Sequence, residues 1–493
     1  MTTSQQWSVG CLALTLATSA LLAAQQRAAT ATATGGHSAE QSNMRLLGAD
    51  DLQARSAYQP TIVEQHGRWL AYIGHHAGNA MNPITGTVEH NGTSIVDVTD
   101  PARPTYLKHI IGPPGGTVAT GGSQMVRVCA GGSGIGSAGR YYMLRSWAGQ
   151  AHQVWDVTDP VNPSLLATIK AADGRDLRTT HKNFWDCSSG IGYLVGGDPD
   201  WISRQHLIVY DLRNPASPVF IRNFGLPGTQ PKALGGATEE VSLHGPIVRG
   251  NRVYMGWGTN RNGVLQILDT EKLLKGDPTP TNENLLYPQV ARYDVGPING
   301  AHSTLPVFGI DVPSFARFAR GRTRDVVILV NESTANGCEE NPQMVYVVDV
   351  TTEAEPYGVA NYQVQDRSGD FCARGGRFGS HSVNERVTGM YDKRVVFVAY
   401  FNAGVRALDI RDPWAPKEIA YYIPATTART EQRCLQGDPN NCRAVIQTTN
   451  AEVDDRGLIY IVDRANTGLH ILELTGPARA VANVTNTRSF VPR

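Results

Sequence analysis

The sequence predicts an all-β protein, built as one seven-bladed β-propeller of four-stranded antiparallel blades. Three observations predict it. A short phrase recurs seven times along the chain, at intervals of 55 to 80 residues. Each copy sits among short runs of Val, Ile, Tyr and Phe divided by Gly, Asn or Asp-Pro turns, which is the signature of strands rather than helices. Composition agrees: 51 Gly and 28 Pro in 493 residues, 41% apolar but only 18% charged, describe a turn-rich chain with ample core and few helix formers. The charge balance, 44 Lys+Arg against 44 Asp+Glu, excludes the cation excess that a nucleic-acid groove uses to displace counterions.

The N-terminus reads as a targeting segment. Val9–Ala24 is an uncharged, Ala/Leu-rich run followed by a polar Ala/Thr stretch, with A-x-A-like cleavage sites after Ala31 and Ala33. Residues 1–31 are therefore expected to be a signal peptide and 32–43 a disordered linker. No Lys or Arg precedes the apolar run, so a retained short anchor is the alternative, and the only membrane contact expected. Without Cys11, six cysteines remain, an even number that suits an exported, disulfide-bonded chain. Cys434 and Cys442 are the easiest pair, across the QGDPNN loop; Cys129/Cys187 and Cys338/Cys372 follow from proximity along the chain.

The body, 44–493, is expected to be a single domain. The recurring phrase reads SIVDVTDPARP at Ser94–Pro104, QVWDVTDPVNP at Gln153–Pro163, LIVYDLRNPASP at Leu207–Pro218 and LQILDTEK at Leu265–Lys272. It continues as VYVVDVTTEAEP at Val345–Pro356, VRALDIRDPWAP at Val405–Pro416 and LHILELTGP at Leu469–Pro477. Its acidic positions are Asp97, Asp156, Asp211, Asp269, Asp349, Asp409 and Glu473. Each phrase reads as the third strand of a blade, with the acidic residue capping the following turn by accepting backbone N–H bonds. Seven repeats follow, at roughly 58–112, 123–170, 181–225, 244–293, 302–366, 381–424 and 450–490. Repeat six shows all four strands, at His381–Glu385, Arg394–Phe401, Gly404–Ile410 and Lys417–Ile423. Either Met44–Leu52 or the tail after Pro477 could close the ring. Two excursions interrupt the pattern, Pro306–Arg324 in repeat five and Arg429–Arg443 after repeat six.

The phrase resembles the LVIVD-repeat family of exported β-propellers, over roughly residues 58–476. More distantly, the arrangement is similar to the selenium-binding protein and methanethiol oxidase propellers, whose inward histidines are associated with copper, although their extended His-rich signatures are absent here. The resemblance implies the fold and leaves the activity open.

Aligning the repeats on the acidic residue puts His181, His244, His302 and His381 at the start of the innermost strand in four consecutive repeats, with Asn450 in repeat seven. Second strands end near the same rim at His75 and His76, Arg145, Asp198, Asn260 and Arg261, Asn331 and Glu332, Asn402, and Asp463 and Arg464. Imidazole ligands suit copper, zinc or iron. The leading expectation is a metal-dependent, oxidoreductase-like site with the four histidines as ligands. Glu332 would be a fifth ligand or general base, and Arg261 or Arg464 an anchor for an anionic small-molecule substrate. A non-catalytic module presenting rim loops to a surface protein or glycan is the main alternative, and a hydrolase or lyase using the same groups is a third. The chain is expected to be a monomer. Gly134-x-Gly136-x-x-Gly139 lies between two strands rather than before a helix, so no nucleotide cofactor is expected.

Overall fold

A computed structural model describes residues 36–116, 121–132, 134–232, 241–259, 262–296, 298–312 and 321–483. The expected signal peptide lies outside them. The protein is all-β, and its sheets are antiparallel meanders of four strands. Repeats one to five each form a separate four-stranded sheet; repeats six and seven form two more such meanders, joined by a single bridge between Phe401 and Thr448. The first strands are Ala57–Gln65, Val126–Ala130, Asn183–Asp186, Leu243–Arg249, Ser303–Asp311, Phe378–Val383 and Thr448–Val453. Each packs against the first strand of the next repeat, and the last packs against the first.

The core follows the same order. Buried apolar side chains fall into clusters that lie between consecutive repeats rather than within one. Ile208 and Leu212 of repeat three, for example, pack with Leu144 and Val154 of repeat two. Tyr460 and Ile471 of repeat seven pack with Ile62 and Ile73 of repeat one, so the two ends of the chain's body are joined by core. Burial of this kind, worth about 25 cal/mol per Å² of apolar area, is what holds neighbouring sheets face to face.

The recurring phrase is the third strand in every repeat, from Thr93–Asp97 to Gly468–Leu474. Its aspartate caps the turn: Asp97, Asp156, Asp211, Asp349 and Asp409 accept the backbone N–H two residues on, at 2.8–3.0 Å. Asp269 accepts from Lys272, capping the short helix Thr270–Lys275. In repeats one to six the register with the fourth strand shifts just before this turn, a repeated bulge that bends the outer edge.

The ring is closed by Met44–Asp50, which pairs with Gly468–Leu474 as the outer strand of repeat seven, while the tail forms the helix Gly476–Val481. The expected linker is shorter than the composition suggests. Glu40–Ser42 adds to the edge of repeat six beside Lys417–Ile423, because the outer strand there leaves backbone groups to pair. The excursion of repeat five is also shorter: Ser303–Asp311 and Thr323–Val330 pair as strands, and residues 313–320 lie outside those described. Repeat one instead carries an extra hairpin, Asn79–Asn82 with Thr87–His90.

All three disulfides join the pairs expected from the sequence. Cys129–Cys187 joins the first strand of repeat two to the end of the first strand of repeat three, Cys338–Cys372 ties the loop between the second and third strands of repeat five to the segment leading into repeat six, and Cys434–Cys442 closes the hairpin of the second excursion. Such bonds are consistent with an extracellular or periplasmic protein.

Candidate functional site

The first strands do not run regularly into the centre. Register breaks between Ala57 and Pro60, between Leu243 and Gly245, and between Phe378 and Ser382. Tyr58, His244 and His381 sit inside those breaks, where a bulge turns a side chain out of the pleat. In repeat six the bulge needs Gly379, whose φ of 145° and close approach to Ser333 leave no room for a Cβ. His181 and His302 precede their strands, held by backbone bonds to Val195 and Val330.

Five rings consequently meet at one rim. The contacts run from Tyr58 to His181, His244, His302 and His381, with centroids 5.0, 4.8, 3.4 and 4.5 Å apart in turn. His381 returns to Tyr58 at 5.7 Å, and His76 stands edge-on to Tyr58 at 5.2 Å. In repeat seven Asn450 takes no place in the ring; its Nδ2 donates to the Tyr58 carbonyl.

Three of the histidines are oriented through Nδ1. His244 Nδ1 donates to the His302 carbonyl at 3.1 Å, His381 Nδ1 to the Thr449 carbonyl, and His302 Nδ1 is bonded to Ser303 Oγ at 2.9 Å. Anchoring one ring nitrogen leaves Nε2 as the free lone pair, the arrangement found in metal-ligating histidines. Among the described residues, His302 Nε2 is buried with no hydrogen-bond partner. It lies 3.5 Å from one Glu332 oxygen, and His381 Nε2 lies 3.8 Å from the other. The ligand atoms of His302, Glu332 and His381 fall within 4.8 Å of one another, a group that could hold a metal ion. Arg377 holds Glu332 in place through a 2.9 Å bond.

His181 and His244 make a second set beside the first. Their Nε2 atoms are 2.9 Å apart, and the Tyr58 hydroxyl lies 3.1 and 3.2 Å from them. Because His244 Nδ1–H is committed to a carbonyl, a neutral His244 accepts at Nε2, and His181 donates from its own Nε2.

Burial sets the charge state of the rim. It holds His244, His302 and His381 well below the ordinary imidazole range and pushes His181 down to about 3, helped by the cations Lys182 and Arg464. The rings are therefore neutral at neutral pH and keep their lone pairs. Burial pushes Glu332 up, against the pull of Arg377 and Arg464.

The other second-strand ends have different tasks. Arg145 is spent on Gln153 and on the carbonyls of Ile110 and Ile111, Asn402 on those of Phe371 and Gly375, and His75 on Ser94. Asp198 accepts from Asn223, and Asp463 from backbone N–H groups. His76 stands against Tyr58 and Glu332 against His302 and His381, while Arg464 acts on the ring through its charge. Asn260 and Arg261 lie outside the described residues.

Several residues of the centre escape a search for histidine. Tyr58 is legible in retrospect, since A-Y-Q-P at Ala57–Pro60 matches L-H-G-P at Leu243–Pro246. One layer deeper, Lys182 and Arg127 both pair with Glu385. Gln59 links Lys182 to Glu452, whose carboxylate also accepts the backbone N–H groups of Glu385 and Arg386. A second group, Cys338, Asp366 and Cys372, has metal-ligand spacing, but its sulfurs are joined to each other and offer no thiolate. No family model matches the chain, and no curated protein matches it at a significant level.

Proposed function

We propose that this chain is an exported, seven-bladed propeller that binds a transition metal at its central mouth through His302, His381 and Glu332, in the service of oxidoreductase-type chemistry. The closed circuit of first strands and the core cluster between repeats seven and one support the blade count. The three disulfides support an oxidising compartment.

One observation carries the metal reading. A fully buried imidazole nitrogen, His302 Nε2, has no hydrogen-bond partner among the described residues, while its ring is oriented from the other side and a carboxylate stands 3.5 Å away. An uncompensated polar atom in such a place costs about 1–3 kcal/mol, and a ligated ion removes that cost. Among copper, zinc and iron, two imidazoles with one carboxylate match the donors of non-haem iron sites. When bound, the ion supplies Lewis acidity or a redox couple.

The remaining residues have roles of their own. Arg377 fixes the Glu332 carboxylate. His181, His244 and Tyr58 form a connected set of exchangeable protons at the edge of the metal group, suited to holding or passing a proton. The test is elemental analysis of the untagged mature protein and of Glu332→Gln and His381→Ala. About one copper, zinc or iron per chain, lost in both variants, is the expected result. Metal that survives both substitutions, or none at all in the native protein, contradicts the reading.

A further inference from the structure

Most charged side chains of the centre are tied to a partner, and Arg145, which has no carboxylate, is tied to Gln153 and to backbone carbonyls. In the deep layer two cations, Lys182 and Arg127, face two carboxylates, Glu385 and Glu452. At the rim Arg377 pairs with Glu332 at 2.9 Å and Arg433 with Glu431 at 2.6 Å. The Asp463 carboxylate is taken by the N–H groups of Gln447 and Ala465.

Arg464 feels Glu332 and Glu431 at a distance but contacts neither carboxylate. It is 7% exposed, its Nε is buried without an acceptor, and among the described residues its guanidinium makes no hydrogen bond or ion pair. It is not floating free of the site. Its carbonyl accepts from Ser56 Oγ at 2.8 Å, two residues before Tyr58, and its charge is felt by Tyr58, His181, His381 and Glu332. Holding the Nε–H of a guanidinium out of water without an acceptor costs stability, and such a cost persists in a fold where a ligand removes it.

We infer that Arg464 is an oxyanion anchor, and that the substrate of the rim site carries a carboxylate, phosphate or sulfonate group. The planar fork of a guanidinium fits any of these in a bidentate manner. Bound metal would add charge of the same sign and strengthen the attraction. This inference rests on the site proposed above for its setting, and its test does not depend on metal.

The full mature chain, dialysed against a chelator, is titrated calorimetrically at constant ionic strength with sodium acetate, sodium phosphate and sodium methanesulfonate. At least one anion binds saturably, one per chain. Arg464→Met weakens it at least about tenfold, and Arg464→Lys less. The anion that binds tightest identifies the headgroup. Arg464→Met also melts no lower than the native protein in anion-free buffer, because it removes a buried Nε–H without an acceptor. Anion binding retained in a chain that takes up no metal supports the anchor while removing the metal reading. Three results overturn the inference: no saturable binding of any of the three up to about 50 mM, binding that survives Arg464→Met, or an Arg464→Met protein that melts several degrees lower, which would make Arg464 a structural brace.

Discussion

Two polar groups stand side by side along the chain at His181–Lys182 and Tyr58–Gln59, and they are finished differently. In the deep layer Lys182, Arg127, Glu385, Gln59 and Glu452 are joined to one another, cation to anion, with the Lys182 and Glu385 side chains only 3% and 4% exposed. At the rim, among the described residues, His302 Nε2, His181 Nδ1 and Arg464 Nε are buried without hydrogen-bond partners. Folding alone favours the first arrangement, because buried polar groups left unpaired cost stability. The contrast teaches where to look for function: the rim keeps neutral imidazoles, a carboxylate and an unpaired cation available to something that is not protein.

The largest expected effect separates the layers by pH. The four rim histidines are neutral in the fold and held below their ordinary 6.5, so each contributes stability above pH 6.5 that is lost as pH falls below it. At about 1.4 kcal/mol per histidine per pH unit, going from pH 7.5 to 5.5 costs the metal-free protein about 5 kcal/mol at the rim. Glu332, shifted upward, acts in the opposite sense and offsets part of this. His75, His109, His152, His206 and His470 are also buried and shifted down, so the rim's share is read from a variant. Urea denaturation of His244→Asn should show a pH slope shallower by about 1.4 kcal/mol per unit; an unchanged slope would mean that His244 is charged in the fold.

Next in size is the deep layer itself. Glu385→Ala leaves Lys182 and Arg127 buried without their shared carboxylate, and should destabilise the protein by about 3–5 kcal/mol in chemical denaturation. A loss below about 1 kcal/mol would show that water reaches this layer and that it is no more closed than the rim. Smallest is Tyr58→Phe, which removes one hydroxyl between two imidazoles and should cost about 0.5–1.5 kcal/mol. If it instead cost several times more, Tyr58 would belong with the structural layer.

Much of this was legible in the sequence, for identifiable reasons. The repeat announces itself because one aspartate does the same local job each time, capping a turn from a strand end, and local chemistry recurs as local sequence. The disulfides follow from cysteines that lie near each other along the chain. The closing strand was open between two segments, since Met44–Leu52 and the tail after Pro477 both offered plausible residues, and only the pairing of Met44–Asp50 with Gly468–Leu474 decides it. His181, His244, His302 and His381 could be aligned, but alignment does not show which way each ring turns. The bulges at Tyr58, His244 and His381 decide that, and place His302 and His381 with Glu332 while His181 and His244 meet Tyr58. The deep layer was invisible because its partners, Lys182 and Glu385, are 203 residues apart and carry no motif.

The central claim is that one ion is held by two histidines and Glu332 rather than by the four aligned histidines. Electron–nuclear double resonance on the Cu²⁺-loaded protein, labelled with ¹⁵N-histidine, tests it most directly by resolving the directly coordinated imidazole nitrogens. The account predicts two strongly coupled nitrogens in the native chain and one in His302→Ala. Three or four such nitrogens, or a pair that survives His302→Ala, would place the ion with His181 and His244 and contradict it.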